Sequence, residues 1–363
     1  MTIIYADGFD SVNNKTDLER RWTVPGTDTL TYGNVGRNGV GRRLTVAVGV
    51  EFLSRGLWAR KTGHIYAGFA YRRDNWGTSV THQDVFNLIE SGSLQCSLSH
   101  PAGSGGQLAF YRRPGAGTNI LLGSASARVL RADVWYYIEV KMKVTSTLTT
   151  GDLELRVNGE TWITVDSGST SNTGNDWCEA FRFGQSNAWG TANVDFDDFY
   201  ILDSAGPAPY NTFLGDIRVD TIRPNGNGTT SDFVGSDADS VDNYLLVDEV
   251  TPDYDTSYLK SSTANEIDLH ALTSLPVTPS VIFGVQPVAV CKKTDAGVRT
   301  ARHVIRTGGT NYESGADIYP SSKEYLGFAS LGGAGMWEDN PNTLVPFVEA
   351  DIDALESGIK IQT

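Results

Sequence analysis

The chain has 363 residues, 40% of them apolar and 20% charged, with 39 glycines and a formal net charge of −14. That composition excludes the disordered and collagen-like classes, and the length corresponds to about two domains, each able to bury a core without staples. The charge is uneven: residues 1–130 carry 14 Lys and Arg against 9 acids, residues 131–207 carry 5 against 12, and residues 208–363 carry 10 against 22. So acidic a second half repels polyanions, and nucleic acid is not expected as a partner.

The N-terminus, MTIIYADGFD, has no basic region followed by an apolar run, and no stretch of the chain reaches membrane-spanning length, so membrane insertion is not expected. The runs GRRLTVAVGVEF (41–52), GHIYAGFAYRR (63–73), DVFNLIES (84–91), LQCSL (94–98) and QLAFYRR (107–113) read as strands. Within ARVLRADVWYYIEVKMKV (127–144), Ile138, Val140, Met142 and Val144 alternate with Glu139, Lys141 and Lys143, the pattern of a sheet with one wet face. Leu153, Leu155 and Val157 then alternate with Asp152, Glu154 and Arg156, and Asn158-Gly159 supplies a tight hairpin turn. FRFGQ (181–185) and VDFDDFYILD (194–203) complete the first set of strands.

Gly206, Pro207 and Pro209 interrupt the pattern, because proline fixes φ and has no N–H to continue a ladder. The boundary is placed there, giving domains at 1–207 and 208–363. The second domain is expected to be mainly β, through FLGDIRVDTIRPNGNG (213–228), SVDNYLLVDEV (240–250), SVIFGVQPVAVCKK (280–293), GVRTARHVIRTG (297–308) and GIKIQT (358–363). Pro224 to Asp239 reads as a long polar loop, and Val348, Ile352 and Leu355 recur at the spacing of a short helix. No repeat, heptad run or low-complexity block is present, so any oligomer assembles through globular faces, and a homo-oligomer is expected.

The sequence ADGFD, WYYIEVKMKV, LELRVNGE, FRFGQ and VDFDDFYILD resembles the laminin-G-like or concanavalin-A-like jelly-roll superfamily, over about residues 1–205, with Asp197, Asp198, Phe199 and Tyr200 on its DDF signature. From Tyr210 onward, NTFLGDIRVDTIRPNGNGTTSDF, VDNYLLVDEVTPDYDTSYL and AVCKKTDAGVRTARHVIRTGGTNY resemble segments of tailed-bacteriophage structural proteins. The resemblance implies an all-β chain, with an N-terminal concanavalin-A-like jelly-roll sandwich followed by a second, mainly β sandwich-like domain for docking or oligomerisation. It also implies a virion location at the tail or tail tip, other phage structural proteins as partners, and a lectin-like role in attachment to a bacterial surface glycan. A head-decoration or collar protein without a ligand is the alternative, and a polysaccharide hydrolase the second.

Carbohydrate recognition sets an aromatic ring against the apolar face of a sugar, with polar side chains on its hydroxyls. Trp58, Tyr71, Trp76, Trp177 and Trp189 lie in or beside polar stretches and are the candidates, Trp76 and Trp189 first. The pairs Arg20/Arg21, Arg42/Arg43, Arg72/Arg73 and Arg112/Arg113 fit either an acidic partner or glycan, or a solvated surface. No catalytic residue and no organic cofactor are expected. Asp195 and Asp197 share one face of their strand, as do Asp152 and Glu154, but no aromatic-rich run unites a nucleophile with an acid. Asp197 and Asp198 are expected instead to bond nearby backbone donors and fix the sheet edge. Calcium is the one ion the jelly-roll resemblance implies, with Asp195 and Asp198 as its ligands and Asp7, Asp10 and Asp166 as further candidates. The five histidines are scattered, GSGG (103–106) and GGAG (332–335) read as turns, and Cys96, Cys178 and Cys291 are expected as buried free thiols.

Overall fold

The computed structural model describes residues 3–24, 30–46, 52–76, 82–113, 119–124, 127–184, 192–323, 325–329 and 336–363. GGAG (332–335) lies outside them. The chain is all-β and divides into two compact units, meeting between Val219 and Asp220. No described helix is long and apolar enough to cross a membrane.

The first unit contains β1 (Ile3–Asp7), β2 (Leu30–Val35), β3 (Arg42–Val46), β4 (Phe52–Lys61), β5 (His64–Arg73), β6 (Gln83–Glu90) and β7 (Ser93–His100). It continues with β8 (Ala109–Arg112), β9 (Ile120–Ser124), β10 (Tyr136–Lys143), β11 (Leu153–Val157), β12 (Glu160–Val165), β13 (Cys178–Gly184) and β14 (Val194–Asp203). An eight-stranded sheet runs β12-β11-β10-β5-β14-β3-β2, with β1 also on β14, and a six-stranded sheet runs β4-β13-β6-β7-β8-β9. Asn158 and Gly159 turn β11 into β12 with φ of 51° and 79°, the left-handed geometry a two-residue hairpin demands. Gly103, Gly105 and Gly106 likewise take positive φ in the turn between β7 and β8.

Aromatic rings join the two sheets. Phe183 of β13 lies 4.7 Å from Phe196 and 5.0 Å from Phe199 of β14, and 5.1 Å from Phe69 of β5. Trp22 closes the core against Phe181 at 5.6 Å, and its Nε1 donates to the buried Asp7 carboxylate at 2.9 Å. Asp7 also accepts from Tyr5 Oη, Phe9 N and Arg21 Nη1, so this buried charge is fully compensated. Cys96 and Cys178 are buried free thiols, whereas Cys291 is half-buried.

The alternation in β10 puts Glu139 on the wet face, yet Glu139 is only 2% exposed. The cause is the segment after β14. Phe213 stacks edge-on to Tyr66 at 5.1 Å, Leu214 N donates to Tyr200 Oη, and Gly215 N donates to Glu139 Oε1 at 2.8 Å. Phe213, Leu214 and Ile217 thereby cover Tyr66, Tyr137 and Tyr200. These contacts carry the first unit on to Val219, past the proline-rich stretch where the turn residues place the boundary.

The second unit is built on a five-stranded antiparallel sheet in the order Pro224–Ser231, Ile267–Leu272, Glu356–Ile361, Ala301–Thr307, Thr310–Glu313, with three two-stranded pairs among the described residues. Ile305, Trp337, Phe347, Ile352 and Leu355 form its core, and the helix Glu349–Asp353 supplies one of them, at the place the spacing predicts. Two expectations change. Pro224–Ser231 is an edge strand rather than loop, and Asn243–Leu246, inside a run read as strand, is a 3-10 turn.

Candidate functional site

Directly paired residues of neighbouring strands share a face, so the six-stranded sheet can be followed row by row. The row Phe183, Phe86, Leu98, Phe110 faces the aromatic core. The next row, Ser54, Arg182, Asn87, Ser97, Tyr111 and Leu121, crosses all six strands and faces away from it. An outward row would ordinarily be wet. Here Asn87 and Ser97 are fully buried and Tyr111 is 5% exposed.

Part of the cover is Arg113. Its Nε donates to Ser97 Oγ at 3.1 Å and its Nη1 to Asn119 Oδ1, while its other terminal nitrogen pairs with Asp84. Asp84 also accepts from Ser99 Oγ at 2.6 Å. Gln95, two residues before Ser97 on β7, is fully buried too. Its Oε1 takes Ser171 Oγ and the amides of Asn172 and Thr173, which seats that loop over one end of the face. Asn87 donates to Gly184 O at 2.9 Å, and no described residue donates to its Oδ1 or to Asp84 Oδ2.

The electrostatics are positive. Burial pushes Arg182 down to about 10, and burial together with the charge of Arg182 pushes Arg113 down to about 10 as well. Both stay protonated at neutral pH, so two guanidinium groups coexist on one face within each other's field. His82 stands edge-on to Tyr111 with ring centroids 4.6 Å apart, and burial with the Arg113 charge lowers its pKa and keeps it neutral. Burial raises Tyr111.

Along β13 the same face opens. Gly56, Ala59, Arg60, Glu179 and Ala180 line an open depression of about 460 Å³, and Ala180 is two residues from Arg182 on the same side of the strand. The Arg60 guanidinium lies 3.8 Å from the Trp177 ring centroid.

Of the aromatic candidates, Trp177 is therefore half-buried beside this depression. Tyr71 is closed to any ligand, 1% exposed and bonded through its hydroxyl to His100 Nε2 at 2.9 Å. Trp76 is half-buried against His100 at 4.9 Å, beside a cavity of about 10 Å³, far too small for a sugar. Trp58 lies on β4 with its side chain outside the described set, and Trp189 lies outside the described residues. Sequence reasoning missed Arg182, Asn87, Ser97 and His82. The signal was there in Phe-Arg-Phe (181–183), because an arginine between two core phenylalanines must face the other way.

The carboxylates of β14 are structural. Asp195 accepts from Thr45 Oγ1 and pairs with Arg43 at 3.0 Å and Arg72 at 2.6 Å. Asp198 Oδ2 accepts from Arg37 Nε and Oδ1 from Val219 N, both at 2.9 Å. With those oxygens held by arginines, a hydroxyl and an amide, Asp195 and Asp198 do not fit the calcium site the jelly-roll resemblance implies. Asp10 accepts the Arg42 amide and Asp166 is exposed, and no described group of three or more His, Cys, Asp or Glu could hold a metal ion. Asp197 accepts the amides of Arg37 at 2.7 Å and Asp198 at 2.9 Å. It does so at a bulge in the middle of the sheet, where Asp198 has φ 49° and β14 changes partner from β3 to β1.

No protein-family model and no curated protein matches this sequence. Among solved structures, the chain is similar to an endo-β-1,4-glucuronan lyase from the fungus Trichoderma reesei, at 16% identity and a TM-score of 0.39, covering 50% of this chain and 90% of that one. It is similar to alginate lyase vAL-1 from Chlorella virus at 16% identity and 0.38, covering 55% and 99%. The Emp46p carbohydrate recognition domain gives 9% identity and 0.38, covering 54% and 95%. Likenesses this weak transfer neither a site nor an activity.

Proposed function

We propose that this chain is a non-enzymatic structural protein of a tailed-bacteriophage virion, at the tail or tail tip, whose first unit attaches to a glycan of the host surface. One observation carries the glycan half: the open depression on the outward face of the six-stranded sheet, lined by Arg60 and Glu179, with the Trp177 ring 3.8 Å from the Arg60 guanidinium. A guanidinium donor, a carboxylate acceptor and an aromatic ring at a depression of about 460 Å³ are what a sugar-binding face needs. The virion half rests on the sequence resemblance from Tyr210 onward, and with it go docking to other phage proteins and assembly as a homo-oligomer, in which repeated weak contacts add up to firm attachment.

Binding to an array of bacterial surface glycans, together with reconstruction of particles carrying the protein, tests both halves. Glycan binding by the wild type that is lost in a folded Trp177→Ala variant, with the chain at the tail, is the expected result. A chain on the head or collar that binds no glycan would replace this reading with a purely mechanical role. A second reading, bond cleavage on the same face, is favoured by the neutral His82 beside Tyr111, a pairing that can accept and return a proton. Release of shortened products from the bound polysaccharide by wild type, and not by His82→Ala, would establish it.

A further inference from the structure

We propose that the second unit carries a self-complementary docking face, on which a second copy of this chain seats about a two-fold axis. The proposal rests on the homo-oligomer part of the reading above and names the surface through which the copies meet. Two segments without a single charged side chain, residues 271–291 and 340–348, come together in a region, residues 208–363, that holds 22 acids against 10 Lys and Arg. Thr278 Oγ1 donates to Glu349 Oε1 at 2.9 Å, and Val285 and Trp337 exchange backbone hydrogen bonds at 2.8 and 2.9 Å. Leu275, Ile282 and Val285 pack against the core that contains Trp337, Phe347 and Ile352. Other side chains of the same two segments face water: Val277, Val281, Val345 and Val348 are 51–58% exposed, and Leu344 is 78% exposed.

Leu344 is the most exposed of the five, and its backbone sits at φ 59°, in the left-handed region that a large side chain seldom adopts. The turn around it is tied down. The Asn340 carbonyl accepts from Thr343 N at 3.2 Å and Leu344 N at 2.8 Å, Asn340 Oδ1 accepts from Asn342 N at 3.0 Å, and Tyr312 Oη donates to Asn342 Oδ1 at 3.3 Å. The fold thus tolerates backbone strain to hold an apolar side chain in water, next to further exposed valines, and an uncharged apolar patch of this kind is the centre of an interface. Charge selects the occupant. Asp339, Glu349, Asp351 and Asp353 flank the patch in sequence, so two copies repel over most of the second unit and approach closely only where both are uncharged. A two-fold axis through the patch sets Leu344 of each copy against valines of the other and leaves both acidic rims at the periphery, where salt screens them. A basic partner would find its complement on the acidic remainder of the unit instead.

The test is sedimentation equilibrium of the full chain over a range of concentrations, at low and high salt, with circular dichroism to confirm that each variant folds. Wild type should pass from monomer to dimer as concentration rises, and the dimer should tighten as salt screens the rims. Val281→Asp should weaken it about tenfold or more, because it places a charge in the uncharged centre. Leu344→Asn should weaken it comparably while folding at least as well as wild type, because asparagine enters the left-handed region more readily than leucine. Leu148→Asp, at an exposed side chain of the first unit, should leave the dimer unchanged. Where one of the two face variants fails to fold, the other decides. An oligomer as strong in the folded face variants as in wild type overturns the proposal and leaves the homo-oligomer reading standing, with its contact elsewhere. Association that weakens as salt rises also overturns it, because ion pairs then hold the copies together. A chain that stays monomeric at every concentration removes both.

Discussion

Gly68→Ala tests whether the outer face of the eight-stranded sheet is locked as described. Gly68 lies in the middle of β5, paired with Glu139 on one side and Tyr200 on the other. A Cβ there would sit 2.2 Å from Tyr200 Cε1 and 2.8 Å from its Cζ, so the ring must move. It has little freedom to do so: its hydroxyl donates to Glu139 Oε1 at 2.6 Å and accepts from Leu214 N at 3.1 Å. Overpacking costs roughly 1–3 kcal/mol, and leaving the buried Glu139 short of a donor adds roughly 1–3 kcal/mol, for a loss of about 4 kcal/mol. At roughly 2–4 °C per kcal/mol, the first unit should melt about 8–16 °C lower. Calorimetry measures the shift, and amide exchange at residues 213–219 should rise with it, since the displaced ring no longer holds Leu214. A variant within about 0.5 kcal/mol of wild type, with those amides still protected, would refute the locked-face argument.

Two further substitutions probe the core and the bulge. Phe183→Ala removes a ring in contact with Phe69, Phe196 and Phe199 and should cost about 3–5 kcal/mol, read from urea midpoints; a loss below about 1 kcal/mol would mean the two sheets do not meet there. Burial and the neighbouring Asp198 raise the pKa of Asp197 from its ordinary 3.8 toward about 8, so the folded chain keeps a proton that the unfolded chain has released. Its stabilisation is complete below about 4 and is lost as pH rises toward about 8, at up to about 1.4 kcal/mol per pH unit. Asp197→Asn should flatten this fall relative to wild type, and parallel curves for the two proteins between pH 5 and 8 would refute it.

Much of the first unit is legible because its strands obey a local rule. Ile138, Val140 and Met142 alternate with polar residues, Asn158-Gly159 turns the hairpin, and one short helix in the second unit follows its spacing. What escapes is decided at long range or by absence of signal. Glu139 looks solvated until Gly215, 76 residues later, folds back onto it. Pro224–Ser231 has no large apolar side chain to mark it, since an exposed edge strand needs none. The outward row is half readable: Phe-Arg-Phe gives the direction of Arg182, but that it lies in one row with Asn87, Ser97 and Tyr111 depends on how β13, β6, β7 and β8 align. The aromatic candidates rest on polar neighbours in sequence, and Arg73, two residues after Tyr71 and 1% exposed, shows how such a neighbour can itself be interior.

In the second unit, strand Glu356–Ile361 sits between Ile267–Leu272 and Ala301–Thr307, bonding both. During synthesis its two neighbours leave the ribosome before it and can each pair only on the far side, with Pro224–Ser231 and with Thr310–Glu313, so the two halves of this sheet join only when the last strand arrives. A premature stop between Glu313 and Glu356 would leave a pair of open edges, each ready to recruit the corresponding strand of a full-length copy.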